Sequence, residues 1–295
     1  MQLGKLEIGK PITGRDVGFR IAPQINAPGR LTNPDIIANL LLSNDPSEIE
    51  ILIKEVEQLT DTRRLVTEEI TTACVKEVEA NYLGKSAIVI GHPDWSHGIV
   101  GICAARLVDK YNVPVCVIGH EGRGSLRGPP GVQLYSALQH SAEHLLKYGG
   151  HAAAAGCQIQ FVNLNNFRQA FCNYFEQNPV VPPDTLVDPV IELDLQDNLL
   201  KLVDEWATLE PCGQGNPRPK IKIEGKVKFA KVVKGGHLKI DVILPDSRTI
   251  GCFFIGAGDR EKELIGQNVS IIGDLRKNEW NGRVSAEIFV EYITT

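Results

Sequence analysis

The 295-residue sequence lacks the features of membrane, secreted and disulfide-bonded proteins. No apolar run approaches the roughly 18 to 20 residues that a membrane span needs, and the N-terminal stretch has no apolar signal-peptide core. The seven cysteines are odd in number and never stand at CxxC spacing, which argues against a disulfide framework and a thiolate zinc site. We therefore expect a globular, cytoplasmic chain without a membrane partner, whose cysteines act as small hydrophobic residues.

Several catalytic signatures are also absent. There is no Walker A sequence, no GxGxxG fingerprint, no nucleophile elbow and no HExxH pair. His92, Asp94 and His97 lie in one loop, and a metal site there is an alternative. Because the rest of the chain offers no further cluster of acidic or imidazole side chains, we predict that this chain binds no metal.

The net charge of −5 is unevenly distributed. Residues 45–82 alone carry −6, whereas residues 218–239 carry eight Lys or Arg against the single Glu224, a local +7. A basic segment of this kind binds phosphates by counterion release. The overall acidity therefore does not exclude a nucleic-acid partner.

Hydrophobic spacing predicts one long helix over residues 45–82, with Asn44 or Asp45 as its cap and Pro46 in its first turn. Gly84 ends it. We expect this helix, assigned to residues 45–84, to connect the N-terminal residues 1–44 to the domain that follows.

Continuous apolar runs at 87–91 and 113–119, separated by a helix at about 98–111, indicate a βαβ unit with a buried parallel sheet. Further elements are predicted in the order helix, strand, helix, at about 131–147, 157–161 and 164–176. Together they predict an α/β domain over residues 85–178.

The remainder of the chain switches to short strands. Four prolines in the stretch 179–189 predict an extended linker before a last domain, residues 190–295. Candidate strands of that domain are 221–233, 237–244, 248–254, 269–275 and 283–292. Five short strands within about 75 residues favour a small all-β barrel of the OB type.

The first of these strands is basic on one side. Even positions hold Lys220, Lys222, Lys226 and Lys228, and odd positions hold Ile221, Ile223, Val227 and Phe229. A period of two sends the lysines to one face and the apolar side chains to the core. Beside stacking aromatics, with Trp280, Phe253 and Phe254 as candidates, a lysine face binds single-stranded nucleic acid. The alternative is that the lysines protect the strand from edge pairing and that the aromatics belong to the core.

Two glycine-containing segments are candidates for phosphate binding. GRGSLRG (122–128) predicts a flexible loop in which the Ser125 hydroxyl and the Arg127 guanidinium face the same side. GGHAAAAG (149–156) joins Gly149, Gly150 and His151 to a run of small residues, which lets a helix begin against the sheet with its N–H groups facing an anion. In both cases an ordinary loop is the alternative.

An earlier segment, INAPGRLTNPD (25–35), places Asn26 and Arg30 in a tight turn. The ordered segments of interest are PQINAPGRL (23–31), LTDTRR (59–64), WSHGIVGICAARLVDKY (95–111), GSLR (124–127), GGHAAAAG (149–156) and EPCGQGNPRP (210–219). Over about 270 residues their order resembles that of the RecJ family, single-stranded-DNA-specific exonucleases of the DHH phosphoesterase superfamily.

The resemblance implies a fold and a set of binding residues. Residues 1–44 would be the tail of a DHH-type catalytic domain, 85–178 a DHH-associated α/β domain, and 190–295 an OB barrel. Substrate phosphates would be held by Asn26, Arg30, Ser125, Arg127, Gly149, Gly150 and His151. The DNA strand would be guided by Lys220, Lys222, Lys226, Lys228 and Trp280.

Members of the family hold two Mn²⁺ or Mg²⁺ ions on a domain with an Asp-His-His triplet, which this sequence lacks. We therefore expect the C-terminal, substrate-binding part of a 5′→3′ exonuclease of DNA repair and recombination, inactive by itself. A separately encoded DHH catalytic domain is then a candidate partner, besides single-stranded DNA. Alternatives are a non-catalytic single-strand-binding module and another DHH phosphoesterase acting on small nucleotides; the barrel argues against the latter.

Overall fold

The computed structural model describes residues 6, 12–182, 190–194, 198–213, 216–280 and 282–295. The chain divides into two compact units, Met1–Thr185 and Leu186–Thr295. Their boundary falls within the predicted linker, of which residues 183–189 lie outside the described residues. Among the helices of the described ranges, none has the length and apolar character needed to cross a membrane.

The first unit begins with short helices that lead into one long helix. They are α1 (Gly14–Asp16), α2 (Ala22–Ile25), α3 (Pro28–Leu31), α4 (Asp35–Leu42) and α5 (Pro46–Asn81), with a π-helical turn at Val17–Ile21. Helix α5 confirms the predicted long helix, and the Asp45 side chain caps it by accepting the Ser47 N–H at 2.9 Å. Its 36 residues make it about 54 Å long at about 1.5 Å per residue.

A five-stranded sheet forms the centre of the first unit. Its strands are β1 (Ile88–Gly91), β2 (Val115–Ile118), β3 (Arg123–Arg127), β4 (Lys147–Gly150) and β5 (Ala154–Gln158), in the spatial order β1-β2-β3-β5-β4. Helix α6 (His97–Tyr111) joins β1 to its parallel neighbour β2, which confirms the predicted βαβ unit. The other pairs are antiparallel, and α7 (Leu134–His140) and α8 (Leu164–Gln177) complete the unit.

Helix α5 belongs to two cores. Near its start Val56 packs with Ile37 of α4. Further along, Ile70, Cys74 and Val78 share a core with α6 and with strands β1 and β2. The helix thus connects the N-terminal helices to the sheet within one unit.

Three local predictions for this unit were wrong. Segment 122–128 is not a loop but contains β3, because it pairs with β2 and β5 on its two sides and Gly124 leaves room for the Cys157 thiol. No helix begins in the run of alanines, because Ala154 starts strand β5 and pairs with Arg127. The helix predicted at about 131–147 is shorter, since α7 ends at His140.

The second unit is a closed barrel. Its strands are β6 (Val190–Glu192), β7 (Lys220–Val233), β8 (His237–Ile243), β9 (Thr249–Phe254), β10 (Asn268–Trp280) and β11 (Arg283–Thr294). Strand β10 pairs with both β11 and β7, which closes a five-stranded barrel in which β9 and β11 are parallel. This is the predicted OB architecture; β6 and helices α9 (Leu199–Ala207) and α10 (Glu261–Leu264) were not predicted.

Strand β7 follows the predicted alternation only in its first half. Ile221, Ile223 and Val227 are buried, as expected. Between Val227 and Phe229 the register with β8 shifts, so that Phe229 is 46% exposed and Ala230 takes the next buried position. The prediction that Phe229 belongs to the core was wrong, because a β-bulge reverses the alternation.

Candidate nucleic-acid interface

One cavity of the first unit collects four of the predicted phosphate-binding residues, Asn26, Arg30, Ser125 and Arg127. It lies where α3, the start of α6 and β3 meet, and has a volume of about 460 Å³. Its lining is Ile25, Asn26, Gly29, Arg30, Pro34, His97, Gly98, Gly101, Ser125 and Arg127. Asn26 and Arg30 are thereby brought to Ser125 and Arg127 from a hundred residues away in the sequence.

Close backbone packing fixes the Arg30 side of the cavity. The Arg30 Nη1 donates to the carbonyl oxygen of Gly98 at 3.0 Å. A Cβ atom on Gly98 would lie 2.1 Å from the Arg30 carbonyl oxygen, so only glycine lets α3 rest on the start of α6. On the other side, the Arg63 Nη1 donates to the Pro23 carbonyl at 2.9 Å and ties the segment before α3 to α5.

A second glycine, in helix α6, makes room for the side chains of strand β3 that line the cavity. Ser125 and Arg127 point to the same face of β3 because they are two residues apart. Helix α6 crosses this face at Gly101, where a Cβ would lie 3.3 Å from the Ser125 Oγ and 3.6 Å from the Arg127 guanidinium. The hydroxyl and guanidinium are therefore held at the cavity wall by packing rather than presented on a mobile loop.

The Gly149–His151 segment continues the same face of the sheet without lining the cavity. Ser125 stands opposite Gly156, which stands opposite Gly149. In the neighbouring row Arg127 stands opposite Ala154, whose carbonyl accepts the His151 N–H at 2.9 Å. Directly paired residues share a face, so a row of small residues leads from the cavity to the exposed strand β4.

Gly149 and Gly150 differ in the space that a side chain would have. Among the described residues, no heavy atom lies within 4 Å of a Cβ built on Gly149, whereas a Cβ on Gly150 would lie 2.5 Å from the Cα of Ala155. Gly150 also has φ of +137°, a backbone conformation that favours glycine. Gly150 is thus required by the hairpin, and Gly149 leaves an open backbone surface.

The cavity is positively charged. No Asp or Glu is found among the described residues that line it, and neither Arg30 nor Arg127 forms a salt bridge within the described ranges. Burial, followed by the positive charges of Arg30, Arg64 and Arg106, lowers the pKa of Arg63. Such a site favours an anion.

On the barrel, two of the four lysines are occupied by carboxylates. The Lys220 Nζ lies 2.5 Å from the Glu291 carboxylate. The Lys222 Nζ lies 3.2 Å from Glu224 and 3.4 Å from Glu192, and these hydrogen bonds raise the pKa of Lys222.

The other predicted strand-guiding residues differ from this pair. Lys226 and Lys228 are exposed and form no salt bridge with any described residue. The side chain of Trp280, and residues 214, 215 and 281 in the neighbouring predicted segments, lie outside the described residues. The predicted contacts of these lysines and of Trp280 with DNA stay predictions.

An aromatic cluster on the outer barrel surface was only partly anticipated. The rings of Phe253 on β9 and Phe289 on β11 lie 5.3 Å apart, and the Arg276 guanidinium lies 4.1 Å above the Phe289 ring. His237 meets Phe253 edge-on at 5.5 Å, whereas Phe254 packs against the barrel core. Phe289 and Arg276 carry no periodic signal, because only the pairing of β9, β10 and β11 brings them together.

Comparison with known proteins agrees with both units. A family model of the DHHA1 domain matches residues 79–177, and one of the RecJ OB domain matches residues 191–292. The chain is 31% identical over 93% of its length to the single-stranded-DNA-specific exonuclease RecJ of Bacillus subtilis, and 29% identical over 92% to RecJ of Thermus thermophilus. The chain belongs to the RecJ family.

Solved RecJ structures support the same fold. A structure of RecJ from Thermus thermophilus in complex with Mg²⁺ superposes with a TM-score of 0.83 over 98% of this chain, at 27% identity. The chain spans 36% of the Bacillus RecJ, 39% of the Thermus RecJ and 45% of that structure. The expected architecture, a DHH-associated α/β domain with a long helix followed by an OB barrel, is confirmed.

The metal ions of RecJ do not find a matching ligand set in the described residues. Thermus RecJ has been solved with Mg²⁺ and with Mn²⁺, but no group of three or more His, Cys, Asp or Glu residues in the described ranges is arranged to hold an ion. The His92 Nδ1 lies 3.7 Å from the Asp94 carboxylate, while His97 lines the cavity instead. No hydrolytic step is therefore assigned to these residues.

Proposed function

We propose that this chain is the substrate-binding part of a RecJ-type 5′→3′ single-stranded-DNA exonuclease acting in DNA repair and recombination. The cavity of the first unit would hold phosphates of the strand, and the barrel would bind the strand elsewhere along its length. The observation that carries the proposal is a cavity lined by two guanidiniums, a hydroxyl and an amide, with no carboxylate among its described residues.

The donors of the cavity suit a phosphodiester. A guanidinium presents N–H donors in a planar fork that matches two phosphate oxygens, and it stays charged at all physiological pH values. Arg127 uses its Nη1 to bond the Leu126 carbonyl, and Arg30 uses its Nη1 to bond Gly98, so each has donors left for a ligand. The Ser125 hydroxyl and the Asn26 amide add uncharged donors beside them.

The row of small residues suits the continuation of the strand. Gly156 and Gly149 expose backbone on the face that Ser125 and Arg127 share. A sugar-phosphate chain leaving the cavity would approach this surface closely, because no Cβ atoms stand in its way. His151, exposed at the end of the row, would meet the next phosphate.

The barrel would supply sequence-independent binding. Lys226 and Lys228 are available to phosphates, and the Phe253–Phe289 pair with Arg276 offers a surface on which bases stack. Lys220 and Lys222, which are paired with carboxylates, contribute less to DNA binding in this proposal. We keep Trp280, on the β10–β11 hairpin, as a further candidate for stacking.

Hydrolysis would depend on a DHH catalytic domain with its Mg²⁺ or Mn²⁺ ions, as an expected partner of this chain. Exposed apolar side chains in the N-terminal helices support a protein contact there, since Phe19, Leu41 and Leu42 are 79%, 70% and 77% exposed. The divisions at 1–44, 45–84, 85–178, 179–189 and 190–295 remain part of the proposal, as does a cytoplasmic location.

The test is fluorescence-anisotropy binding of a labelled single-stranded DNA oligonucleotide to the full chain over a salt series, with cleavage followed in added Mn²⁺. We expect salt-sensitive binding without cleavage, and a loss of at least about tenfold in affinity in the Arg30→Ala/Arg127→Ala double variant. Arg123→Ala is the matched control, because Arg123 lies on the same strand but pairs with Glu121 at 3.1 Å.

Equal affinity in the double variant and the wild type would contradict the cavity as a phosphate site. Cleavage by the pure chain would contradict the assignment to a substrate-binding part. Binding that survives in the double variant but is lost on changing the barrel would favour a simple single-strand-binding module.

A further inference from the structure

We propose that His97 is a phosphate ligand of the cavity that binds more tightly when its imidazole is protonated, so that substrate binding strengthens as the pH falls below neutral. This inference rests on the proposed function, because it assigns a further residue to the same site. The resemblance of the sequence to RecJ placed phosphates on Arg30 and Arg127, and His97 entered only as part of a metal-site alternative.

The backbone holds His97 rigidly at the cavity. It is the first residue of α6, it is exposed, and it lines the cavity together with Arg30 and Arg127. Its neighbour Gly98 is fixed against α3 by the Arg30 hydrogen bond and by the backbone contact that excludes a Cβ. His97 is thus attached to a wall of the cavity that is fixed by close backbone packing.

The charged side chains that line the described cavity with His97 are both cationic. Arg30 faces it from α3 and Arg127 from β3, and Ser125 and Asn26 are neutral. Asp94, on the same loop, lies 3.7 Å from the His92 Nδ1 and does not line the cavity. In the described part of the cavity lining there is no carboxylate to pair with a protonated His97, so a bound phosphate would be its counter-ion.

Proton binding and phosphate binding are therefore linked. A bound phosphate favours the protonated imidazole, and protonation in turn favours phosphate binding. Histidine is the side chain whose charge changes between about pH 5 and pH 8. The arginines keep their charge over that range, so His97 is the cavity residue expected to make binding pH-dependent.

The experiment uses the full chain and thymidylyl-thymidine, a dinucleotide whose single phosphodiester keeps its charge throughout, with affinity measured by calorimetry from about pH 5.5 to about pH 8 at constant ionic strength. In the wild type we expect affinity to rise about tenfold toward low pH, the effect of one added charge-assisted hydrogen bond. In His97→Gln this rise should disappear. In His97→Arg, high affinity should persist at the upper end of the range, which a merely structural role would not produce.

His120→Gln is the matched control, because His120 is exposed in the same unit and does not line the cavity. It should retain the full pH dependence. A pH dependence that survives in His97→Gln, or the same loss of binding at every pH in both His97 variants, would overturn the inference. Unchanged dinucleotide binding in Arg30→Ala/Arg127→Ala would instead refute the proposed phosphate site itself, whatever the result at His97.

Discussion

The two units differ in how they keep basic side chains available. In the first unit, Arg30 and Arg127 line a cavity without a carboxylate in its described part. In the second, Lys220 and Lys222 of the most basic strand are held by glutamates of other strands or of their own strand. Charge counted along the sequence suggests instead that the barrel has more basic side chains available, because its segment 218–239 carries +7 within 22 residues. Charge counted along the chain overestimates binding wherever folding supplies the counter-charge.

The comparison also shows two ways to build a surface for a strand. The cavity relies on glycines, Gly98 and Gly101, that let a helix approach the groups it covers. The barrel relies on cross-strand pairing, which places Phe253 beside Phe289. The first arrangement should not tolerate a methyl group at Gly98, where the contact is closest. The second should tolerate exchange of apolar side chains but not loss of a ring.

The largest effect is expected from Gly98→Ala. Its Cβ would lie 2.1 Å from the Arg30 carbonyl oxygen, so α3 must move away from α6. We expect the free energy of unfolding to fall by about 1–3 kcal/mol, as measured in urea. Oligonucleotide affinity, measured by anisotropy below the unfolding transition, should fall to the level of the Arg30→Ala/Arg127→Ala variant.

Gly149→Ala is the control for that change. A Cβ at this position meets no described atom within 4 Å, so stability should stay within about 0.5 kcal/mol of the wild type. Gly98→Ala with wild-type affinity would show that the α3–α6 contact does not build the binding cavity.

The next effect concerns the shape of the cation rather than its charge. Arg127→Lys keeps the positive charge but removes the planar fork, and we expect about a tenfold loss of single-strand affinity. The same exchange at Arg123, which is paired with Glu121, should leave affinity unchanged. If lysine serves as well as arginine at 127, the cavity attracts the strand only as a point charge.

A smaller loss, of about fivefold, is expected from Phe253→Leu on the barrel, at the low end of stacking energies of about 1 kcal/mol per base. Leucine keeps apolar contact with Phe289 but removes the flat ring. Phe254→Leu is the paired control, because Phe254 packs against the barrel core. Phe254→Leu should lower the free energy of unfolding and leave the affinity for single-stranded DNA unchanged. The reverse pattern would place the DNA on another face of the barrel.

The smallest effect separates free from occupied lysines. Lys228→Gln should reduce the slope of log affinity against log salt concentration by about 1, the value for one phosphate contact. Lys222→Gln should change it less, because Glu192 and Glu224 already neutralise this lysine. Equal slopes for the two variants would mean that DNA displaces the glutamates and that the lysine face acts as a whole.

Much of the fold was predictable from local patterns. Apolar residues at helical spacing and the Asp45 cap predicted α5, and continuous apolar runs predicted the parallel pair β1 and β2. Turn-separated strands predicted the barrel. These signals succeed because helix periodicity, caps and turns depend on residues close in sequence.

Where the prediction failed, distant residues decided the outcome. Segment 122–128 reads as a loop and segment 149–156 as a helix start, but strand β3 in the first pairs with strand β5, which begins in the second. Phe229 reads as core, but a bulge against β8 exposes it. His97 carried no sign of its place beside Arg127, because that place depends on α6 crossing β3 at Gly101.

By itself, the sequence determined the kinds of element, their order, the family resemblance and the residue types suited to phosphate. Only the tertiary structure decided which of those side chains share a cavity and which lose their charge to a neighbour. The physical reason is that a hydrogen bond or ion pair depends on distances of a few ångströms between atoms, and for residues a hundred positions apart those distances are set by packing.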